Sequence, residues 1–129
     1  MIDKLAWIAI QHKHILSTKS YGKDKYYIPG GKREPGETDA AALCREIKEE
    51  LSIDLRVETL QFAGSFQAQA DGHPNGTLVK MTCYTAGYTG TLKAAAEIAE
   101  IKWLTYLDKD NISAVDKIIF DFLHAEGLL

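Results

Sequence analysis

A helix with strand-like segments on both sides is the feature that most constrains the fold of this chain. Residues 38 to 51 follow two turn signals, Pro29-Gly30-Gly31 and Pro35-Gly36, and Thr38 or Asp39 can cap the helix. Apolar residues recur along it at helical spacing, at Ala40, Leu43, Cys44, Ile47 and Leu51. A helix with one apolar face must pack against another element, so the sequence predicts a helix packed on a core.

Strand-like segments make up most of the remaining chain. They are residues 4 to 10, 14 to 18, 26 to 28, 54 to 69 with a bend near Gly64, 77 to 88 and 98 to 104. A second helix is predicted from Ser113 to about Glu126, with Asn111 or Ser113 as its cap. Strands before, between and after two helices indicate one mixed α/β domain over residues 1–129, with the sheet packed between helices.

The loops between these segments are marked by polar residues and turn formers. The polar residues 11 to 13 predict a hairpin turn between the first two strands. Residues 21 to 25 form a polar loop, and residues 71 to 76 are rich enough in turn formers for a hairpin loop. No segment resembles a linker that would divide the chain into two domains.

Three glutamates, Glu46, Glu49 and Glu50, form a separate arc of the first helix. Their spacing places them on one face, where like charges cost about a few tenths of a kcal/mol per pair. They also lie in the second half of the helix, where its dipole disfavours negative charge, and only Arg45 and Lys48 are near to offset it. A solvated helix face is one explanation. A divalent cation site is the other, because Mg²⁺ binds one or two carboxylates together with substrate phosphates.

The residues around these glutamates closely resemble the signature of the Nudix hydrolase family. Gly31 is followed after five residues by Glu37, and after seven more by the run from Arg45 to Ile53. The signature has Gly, five residues, Glu, seven residues, Arg-Glu, an aliphatic residue, one residue, Glu-Glu, one residue, Gly and an aliphatic residue. Every defined position matches except the last glycine, which is Ser52 here. Residues 27 to 31 also resemble the segment that usually precedes the signature.

The resemblance implies an α/β/α sandwich with a mixed sheet between helices. It also implies hydrolysis of a nucleoside diphosphate linked to another group, giving a nucleotide and a phosphorylated product. By the same resemblance, Glu46 and Glu50 hold Mg²⁺, for which Mn²⁺ can substitute, and Glu49 is a further ligand, directly or through water. A backbone carbonyl of Gly30 or Gly31 completes the site.

Two further positions follow from the resemblance. Arg45 is expected to orient the motif by pairing with Glu37. The family's final glycine ends the helix, where a left-handed residue is convenient. Ser52 in that conformation would cost about 1 kcal/mol, or the helix could end in another geometry, so its presence concerns stability and not catalysis.

The general base is sought among several glutamates. Some members of the family take it from the motif helix, which here offers Glu46, Glu49 and Glu50, and others from a glutamate on a later loop. Residues 94 to 103 contain Glu97 and Glu100. We favour Glu100, because it lies three residues before Trp103 near the start of a strand; an ordinary exposed glutamate is the alternative for either residue.

The candidate substrate contacts are basic, aromatic and amide side chains. The lysines and the arginine near the Pro-Gly-Gly turn could meet phosphates or form a solvated loop: Lys19, Lys23, Lys25, Lys32 and Arg33. Three aromatic residues could stack on a base, although aromatic residues in strands more often belong to the core: Tyr27, Phe66 and Tyr84. Gln67 and Gln69 could contact a base edge or ribose, or form a polar strand face.

The favoured substrate is a nucleoside triphosphate, including oxidised ones. The sequence lacks a proline near Gln69 of the kind found in family members that cleave ADP-ribose, and it has no convincing motif of the coenzyme A or NADH hydrolases. Another nucleoside diphosphate derivative, such as a nucleotide sugar, remains an alternative. A nucleotide sensor without catalysis is a second class, but such domains usually lack intact glutamates in the motif.

Composition excludes several other functions. A net charge of −3 argues against a surface that coats long nucleic acid. The apolar run from Leu5 to Ile10 is too short for a membrane helix, and no targeting segment is visible. Two cysteines, Cys44 and Cys83, suit reduced structural thiols. We therefore expect a cytoplasmic protein without membrane contact, as a monomer or homodimer, whose partner is a small nucleotide.

Overall fold

A mixed four-stranded sheet forms the centre of the fold. The computed structural model describes residues 1–129. Its strands are β1 (Ile2–Trp7), β2 (Ile10–Gln11), β3 (His14–Ser20), β4 (Gly30–Gly31), β5 (Asp54–Leu55), β6 (Gln61–Gln69), β7 (Leu78–Thr85), β8 (Tyr88–Thr89) and β9 (Ile98–Leu104). The central sheet has the order β4-β1-β7-β6, with β1 and β7 parallel and the outer pairs antiparallel. Smaller sheets are β2-β3-β9 and β5-β8.

The two helices, α1 (Asp39–Leu51) and α2 (Ala114–Ala125), cover opposite faces of the central sheet. Successive residues of a strand point to opposite faces. Leu5 and Trp7 of β1 pack in the core with α1, whereas Ala6 packs in the core with α2. The predicted sandwich with a mixed sheet between helices is confirmed. Neither helix has both the length and the apolar character that a membrane crossing requires.

The limits of α1 follow from its capping residues, as predicted. The Thr38 side-chain oxygen accepts a hydrogen bond from the Ala41 amide at 3.1 Å, which satisfies a donor of the first turn. The helix ends at Leu51, because Ser52 adopts a left-handed conformation with a φ of 64°. The Ser52 hydroxyl donates a hydrogen bond to the Lys93 carbonyl at 3.1 Å. This contact offsets part of the cost of a left-handed serine.

The buried face of α1 differs from the predicted one. Ala40 and Cys44 were expected on the core side; both are only half-buried, and of the two Cys44 packs against the buried core. The fully buried positions are Ala42, Leu43, Ile47, Glu50 and Leu51. Glu50 therefore belongs to the edge of the buried face, because the turn before α1 folds back over it. Burial of this carboxylate is the first structural sign that the glutamates differ from one another.

Three strands that the sequence predicts as continuous are interrupted in the structure. Residues 4 to 10 divide after Trp7, because the pairing with β7 ends there and the chain next pairs with β3 at Ile10. Residues 54 to 69 divide into β5, a 3₁₀ segment at Val57–Thr59, and β6, and residues 77 to 88 divide into β7 and β8. In each case a change of pairing partner ends the strand. The predicted bend near Gly64 appears as a register shift between Phe62 and Gly64.

Residues 26 to 28, predicted as a strand, form only isolated bridges, from Tyr26 to Ile112 and from Tyr27 to Thr18. The adjacent Gly30 and Gly31 form β4 instead. The predicted turns at residues 11 to 13 and 71 to 76 do connect antiparallel strands. A 3₁₀ segment at Tyr106–Asn111, which the sequence did not predict, precedes α2. Ser113 caps α2, since its hydroxyl oxygen accepts the Asp116 amide at 3.3 Å.

Candidate active site

The Pro29-Gly30-Gly31 turn lies against the central strand β1. At Gly30 the φ is 154°, and a Cβ atom would lie 1.9 Å from the Leu5 carbonyl oxygen, so only glycine permits this approach. A Cβ atom at Gly31 would lie 2.4 Å from the carboxylate carbon of Glu46. The Gly30 amide donates a hydrogen bond to Glu50 Oε1 at 3.3 Å. Both glycines thus allow the turn to contact two of the α1 glutamates directly.

Arg45 links the loop before α1 to the same glutamates. Its Nε donates to Glu37 Oε2 and its Nη2 to Glu37 Oε1, both at 2.8 Å, which is a bidentate pair. Its Nη1 donates to Glu46 Oε1 at 3.0 Å, and its Nη2 also donates to the Lys32 carbonyl at 3.1 Å. Hydrogen bonding to the guanidinium lowers the pKa of Glu37 to about 2. Arg45 therefore fixes the orientation of Glu46 through a network that includes Glu37.

The carboxylates of Glu46 and Glu50 lie beside the turn, and the charge of Glu97 contributes to raising the pKa of both. Glu50 is only 7% exposed, and burial, followed by the charges of Glu97 and Glu46, raises its pKa to about 8. Burial also raises the pKa of Glu46, against the opposing effect of Arg45. Glu49 is exposed and lies 3.5 Å from Arg45 Nη1. Carboxylates that repel one another and are partly buried favour a bound cation.

Glu97, and not Glu100, is the later glutamate that approaches α1. The Ala95 amide donates to the Glu50 carbonyl at 3.0 Å, which fixes the loop before β9 against the end of α1. Glu100 lies on β9, 3.9 Å from Lys19 Nζ, and its hydrogen bond contributes to a raised Tyr26 pKa. The sequence preference for Glu100 rested on its distance from Trp103, which carries no information about this loop contact.

A cavity of about 310 Å³ opens beside Glu50. Six of the residues singled out in the sequence as metal or substrate contacts line it: Lys23, Tyr27, Gly30, Gly31, Glu50 and Gln69. The Gln69 side chain is also bound to the adjacent turn, with Nε2 donating to the Pro74 carbonyl and Oε1 accepting the Gly76 amide, both at 2.9 Å. The cavity therefore connects the glutamate cluster to the β6–β7 turn.

The other candidate substrate contacts lie outside the lining of this cavity. Among the cations, Lys19 faces Glu100, Lys25 pairs with Asp71 at 3.2 Å, and Lys32 is exposed. The Arg33 guanidinium pairs with Asp39 and with Asp3, on the side of the sheet that α1 covers. Of the two lysines that line the cavity, the sequence pattern identified Lys23 and missed Lys4, which lies far from the turn in the sequence.

The remaining aromatic and amide candidates have other surroundings. Phe66 packs edge-on against Phe122 of α2, with ring centroids 5.2 Å apart, as expected for a core aromatic residue. Gln67 is exposed. Tyr84 donates a hydrogen bond to Asp39 Oδ2 at 2.6 Å. Of the three aromatic candidates, only Tyr27 borders the cavity.

Sequence reasoning missed several polar residues at or beside the cavity, among them Lys4, Asp71, Ser113 and Asp116. The first three line it, and Asp116 contacts two lining residues, Ile28 and Ser113. Asp116 Oδ2 accepts the Ile28 amide at 2.9 Å, whereas its Oδ1 is buried without a hydrogen-bond partner. A signal existed in the sequence, since Asp116 lies four residues before Phe120 on an otherwise apolar helix face.

Asp116 should make the folded protein less stable as the pH rises. Burial raises its pKa to about 7, whereas an unfolded aspartate has a pKa of about 3.9. Between these pH values the folded chain keeps a proton that the unfolded chain has released. The stability that this proton contributes is fully present below pH 4 and is lost as the pH rises through 7. The loss amounts to at most about 4 kcal/mol. Urea unfolding of wild type and Asp116→Asn from pH 4 to 8 should give diverging curves; parallel curves would contradict the assignment.

Comparison with known proteins gives a consistent family match. The NUDIX domain family profile matches residues 5–122. The human protein 8-oxo-dGDP phosphatase NUDT18 is 44% identical over 46 residues, which are 36% of this chain and 14% of that protein. The chain therefore spans only about a seventh of the curated relative that it matches.

Solved structures match over nearly the whole chain. The E. coli ORF135 protein has a TM-score of 0.75 and 25% identity, covering 97% of this chain and 89% of that one. The MutT NUDIX hydrolase from Burkholderia pseudomallei has a TM-score of 0.75 and 20% identity, covering 93% and 95%. The MutT protein from Methanosarcina mazei has a TM-score of 0.76 and 18% identity, covering 98% and 94%. At these identities, the last two likenesses concern the fold alone.

Proposed function

The chain belongs to the Nudix family, and we propose that it hydrolyses a pyrophosphate bond in a nucleoside diphosphate derivative with the help of Mg²⁺. The observation that carries the proposal is the pair of α1 carboxylates, Glu46 and the buried Glu50, held against the glycine turn at the edge of a cavity large enough for a ligand. A pyrophosphate carries dense negative charge, and attack by water requires that this charge be neutralised.

The residues that would hold the metal ion are Glu46, Glu50 and Glu49, with a backbone carbonyl of Gly30 or Gly31. Their donor set fits a hard divalent cation, because every proposed ligand is an oxygen. Glu50 is in addition a buried carboxylate that the charges of Glu97 and Glu46 repel. The side chains do not form a ready cage of three or more ligands, since Arg45 engages Glu46 and the Gly30 amide engages Glu50. Rotation of these side chains would accompany binding of Mg²⁺, or of Mn²⁺ in its place.

The chain's own residues would then divide the remaining work. When bound, the metal ion supplies charge neutralisation at the phosphate oxygens. Glu97 would accept a proton from the attacking water at its carboxylate, as a general base. Arg45 is a positioning residue, because it acts on Glu46 through a bidentate pair with Glu37. The ammonium group of Lys23, at the cavity, would meet phosphates, with Lys19, Lys25, Lys32 and Arg33 as the outer cations.

The substrate that we propose is a nucleoside triphosphate, including oxidised ones, cleaved to a nucleoside monophosphate and pyrophosphate. The name of the human relative, an 8-oxo-dGDP phosphatase, supports a nucleotide with a modified base, and the match includes only part of that protein. Tyr27 at the cavity edge and Gln69 beside it are the proposed contacts of the nucleoside. Phe66 and Gln67 remain weaker candidates, since neither lines the cavity.

A substrate panel tests the proposal. Nucleoside triphosphates, nucleotide sugars, dinucleoside polyphosphates and coenzymes should be assayed with Mg²⁺, and again with excess chelator. We expect release of monophosphate and pyrophosphate from at least one triphosphate, loss of that activity in chelator, and recovery with Mg²⁺ or Mn²⁺. Full activity in chelator would exclude the metal-dependent mechanism, and nucleotide binding without product release would indicate a sensor.

A further inference from the structure

Lys4 is a cation inside the cavity to which no role has yet been given. It lies on the central strand β1, one residue before Leu5, and it lines the cavity together with Val79 and Met81. Side chains alternate along a strand, so Lys4 projects from the face opposite Leu5, which packs on the α1 side. Lys4 therefore lies on the α2 side of β1, away from the helix that bears the glutamates.

The Lys4 ammonium has no hydrogen bond or salt bridge within the protein, and in this it differs from Lys25, which pairs with the cavity-lining Asp71. Asp116 is a buried carboxylate beside the same cavity, and its pKa is raised by burial and lowered in part by the charge of Lys4. Asp116 Oδ1 is itself buried without a partner. Lys4 at the cavity wall and the buried Asp116 beside the cavity thus both have hydrogen-bonding capacity that no protein group uses.

The surroundings of Lys4 suit a flat apolar group with a polar edge. The apolar side chains of this part of the cavity are Ile2, Val79, Met81 and Val115. Phosphates, which are strongly hydrated, belong at the glutamate end, where metal and water are accessible. A nucleotide with its phosphates at that end would direct its base towards the apolar walls and the Lys4 ammonium.

We propose that Lys4 is a specificity-determining residue that donates a hydrogen bond from Nζ to a ring carbonyl oxygen of the nucleobase. The proposal rests on the proposed function of the same site. A 6-oxopurine presents an acceptor oxygen at the position where adenine presents an amino group. An ammonium has only donors, so adenine would place donor against donor and leave the Lys4 ammonium without a partner. The site should therefore prefer bases with a carbonyl group at this edge.

The test compares two purines of nearly equal size, as dITP and dATP. We expect wild type to show a kcat/KM for dITP at least about 10-fold above that for dATP. Lys4→Met keeps the length of the side chain and removes the donor, so it should bring the ratio close to one, mainly by loss of activity on dITP. Lys80→Met is the matched control, because Lys80 lies on the adjacent strand β7 outside the cavity, and its ratio should equal that of wild type. A wild-type ratio near one, or an unchanged ratio in Lys4→Met, would overturn the proposal.

A binding measurement separates this inference from the proposed function. Calorimetry of the metal-free protein with dIMP and dAMP needs no turnover, and we expect tighter binding of dIMP, lost in Lys4→Met and kept in Lys80→Met. If no triphosphate is hydrolysed but this preference is found, the proposed function fails and the role of Lys4 stands. If triphosphates are hydrolysed and Lys4→Met leaves both preferences unchanged, the proposed function stands and the role of Lys4 fails. Equal binding of dIMP and dAMP, or binding of neither, counts against Lys4 as a base-reading residue.

Discussion

Glu50→Gln should lower kcat by about 10³-fold or more while the protein remains folded. Metal ions stabilise the developing charge by several kcal/mol, and each 1.36 kcal/mol is a factor of ten in rate. Glutamine has nearly the same shape and can still accept the Gly30 amide hydrogen bond, which is 3.3 Å long in wild type. It cannot supply the negative charge that a metal ligand needs. The rate loss should therefore come from the site and not from the fold.

Thermal melting provides the second measurement for this variant. Mg²⁺ that binds only the folded state should raise the melting temperature of wild type by mass action. Glu50→Gln should melt normally without metal, because its neutral amide removes a repelled buried carboxylate, and it should lose most of the Mg²⁺ shift. Glu58→Gln, an exposed glutamate on the 3₁₀ segment before β6, serves as the control and should keep both activity and shift. An equal shift in Glu50→Gln would locate the cation elsewhere.

Glu97→Gln should lower kcat by about 10²–10⁴-fold, the range that general base catalysis supplies. Glu97 is close enough to raise the pKa of Glu50, whereas Glu100 faces Lys19. Glu100→Gln should therefore keep kcat within a few-fold of wild type, roughly, as an exposed pair of this kind contributes little. The measurement is kcat together with the Mg²⁺ affinity of both variants.

The Mg²⁺ affinity then separates a base from a ligand. If Glu97 acts as a base alone, its removal should leave the affinity nearly unchanged. A parallel loss of rate and affinity would make it a metal ligand. If both variants keep a near-normal kcat, the base must come from α1, and Glu46 or Glu49 takes the role. A large loss in Glu100→Gln alone would restore the preference that the sequence suggested.

Local sequence determined the helices and the motif. Thr38 and Ser113 cap their helices because a side-chain oxygen reaches an amide only two or three residues ahead. The glycines of the turn and the spacing of the glutamates are likewise contained in a short segment, and that segment was enough for the family. Short-range hydrogen bonds and helical periodicity do not depend on distant partners, so these predictions needed no knowledge of the rest of the chain.

The tertiary structure alone decided where strands end and which distant residues meet the motif. The divisions after Trp7 and Thr85 occur where a strand changes its pairing partner, which no local pattern records. The loop that carries Glu97 is held against α1 by a backbone hydrogen bond from the Ala95 amide to the Glu50 carbonyl, and these two residues are 45 positions apart in the sequence. Lys4, which lines the cavity, and Asp116, which lies beside it, come from opposite ends of the chain. These contacts exist because the core packs β1 between both helices, and the energy of that packing belongs to the whole chain and not to any segment of it.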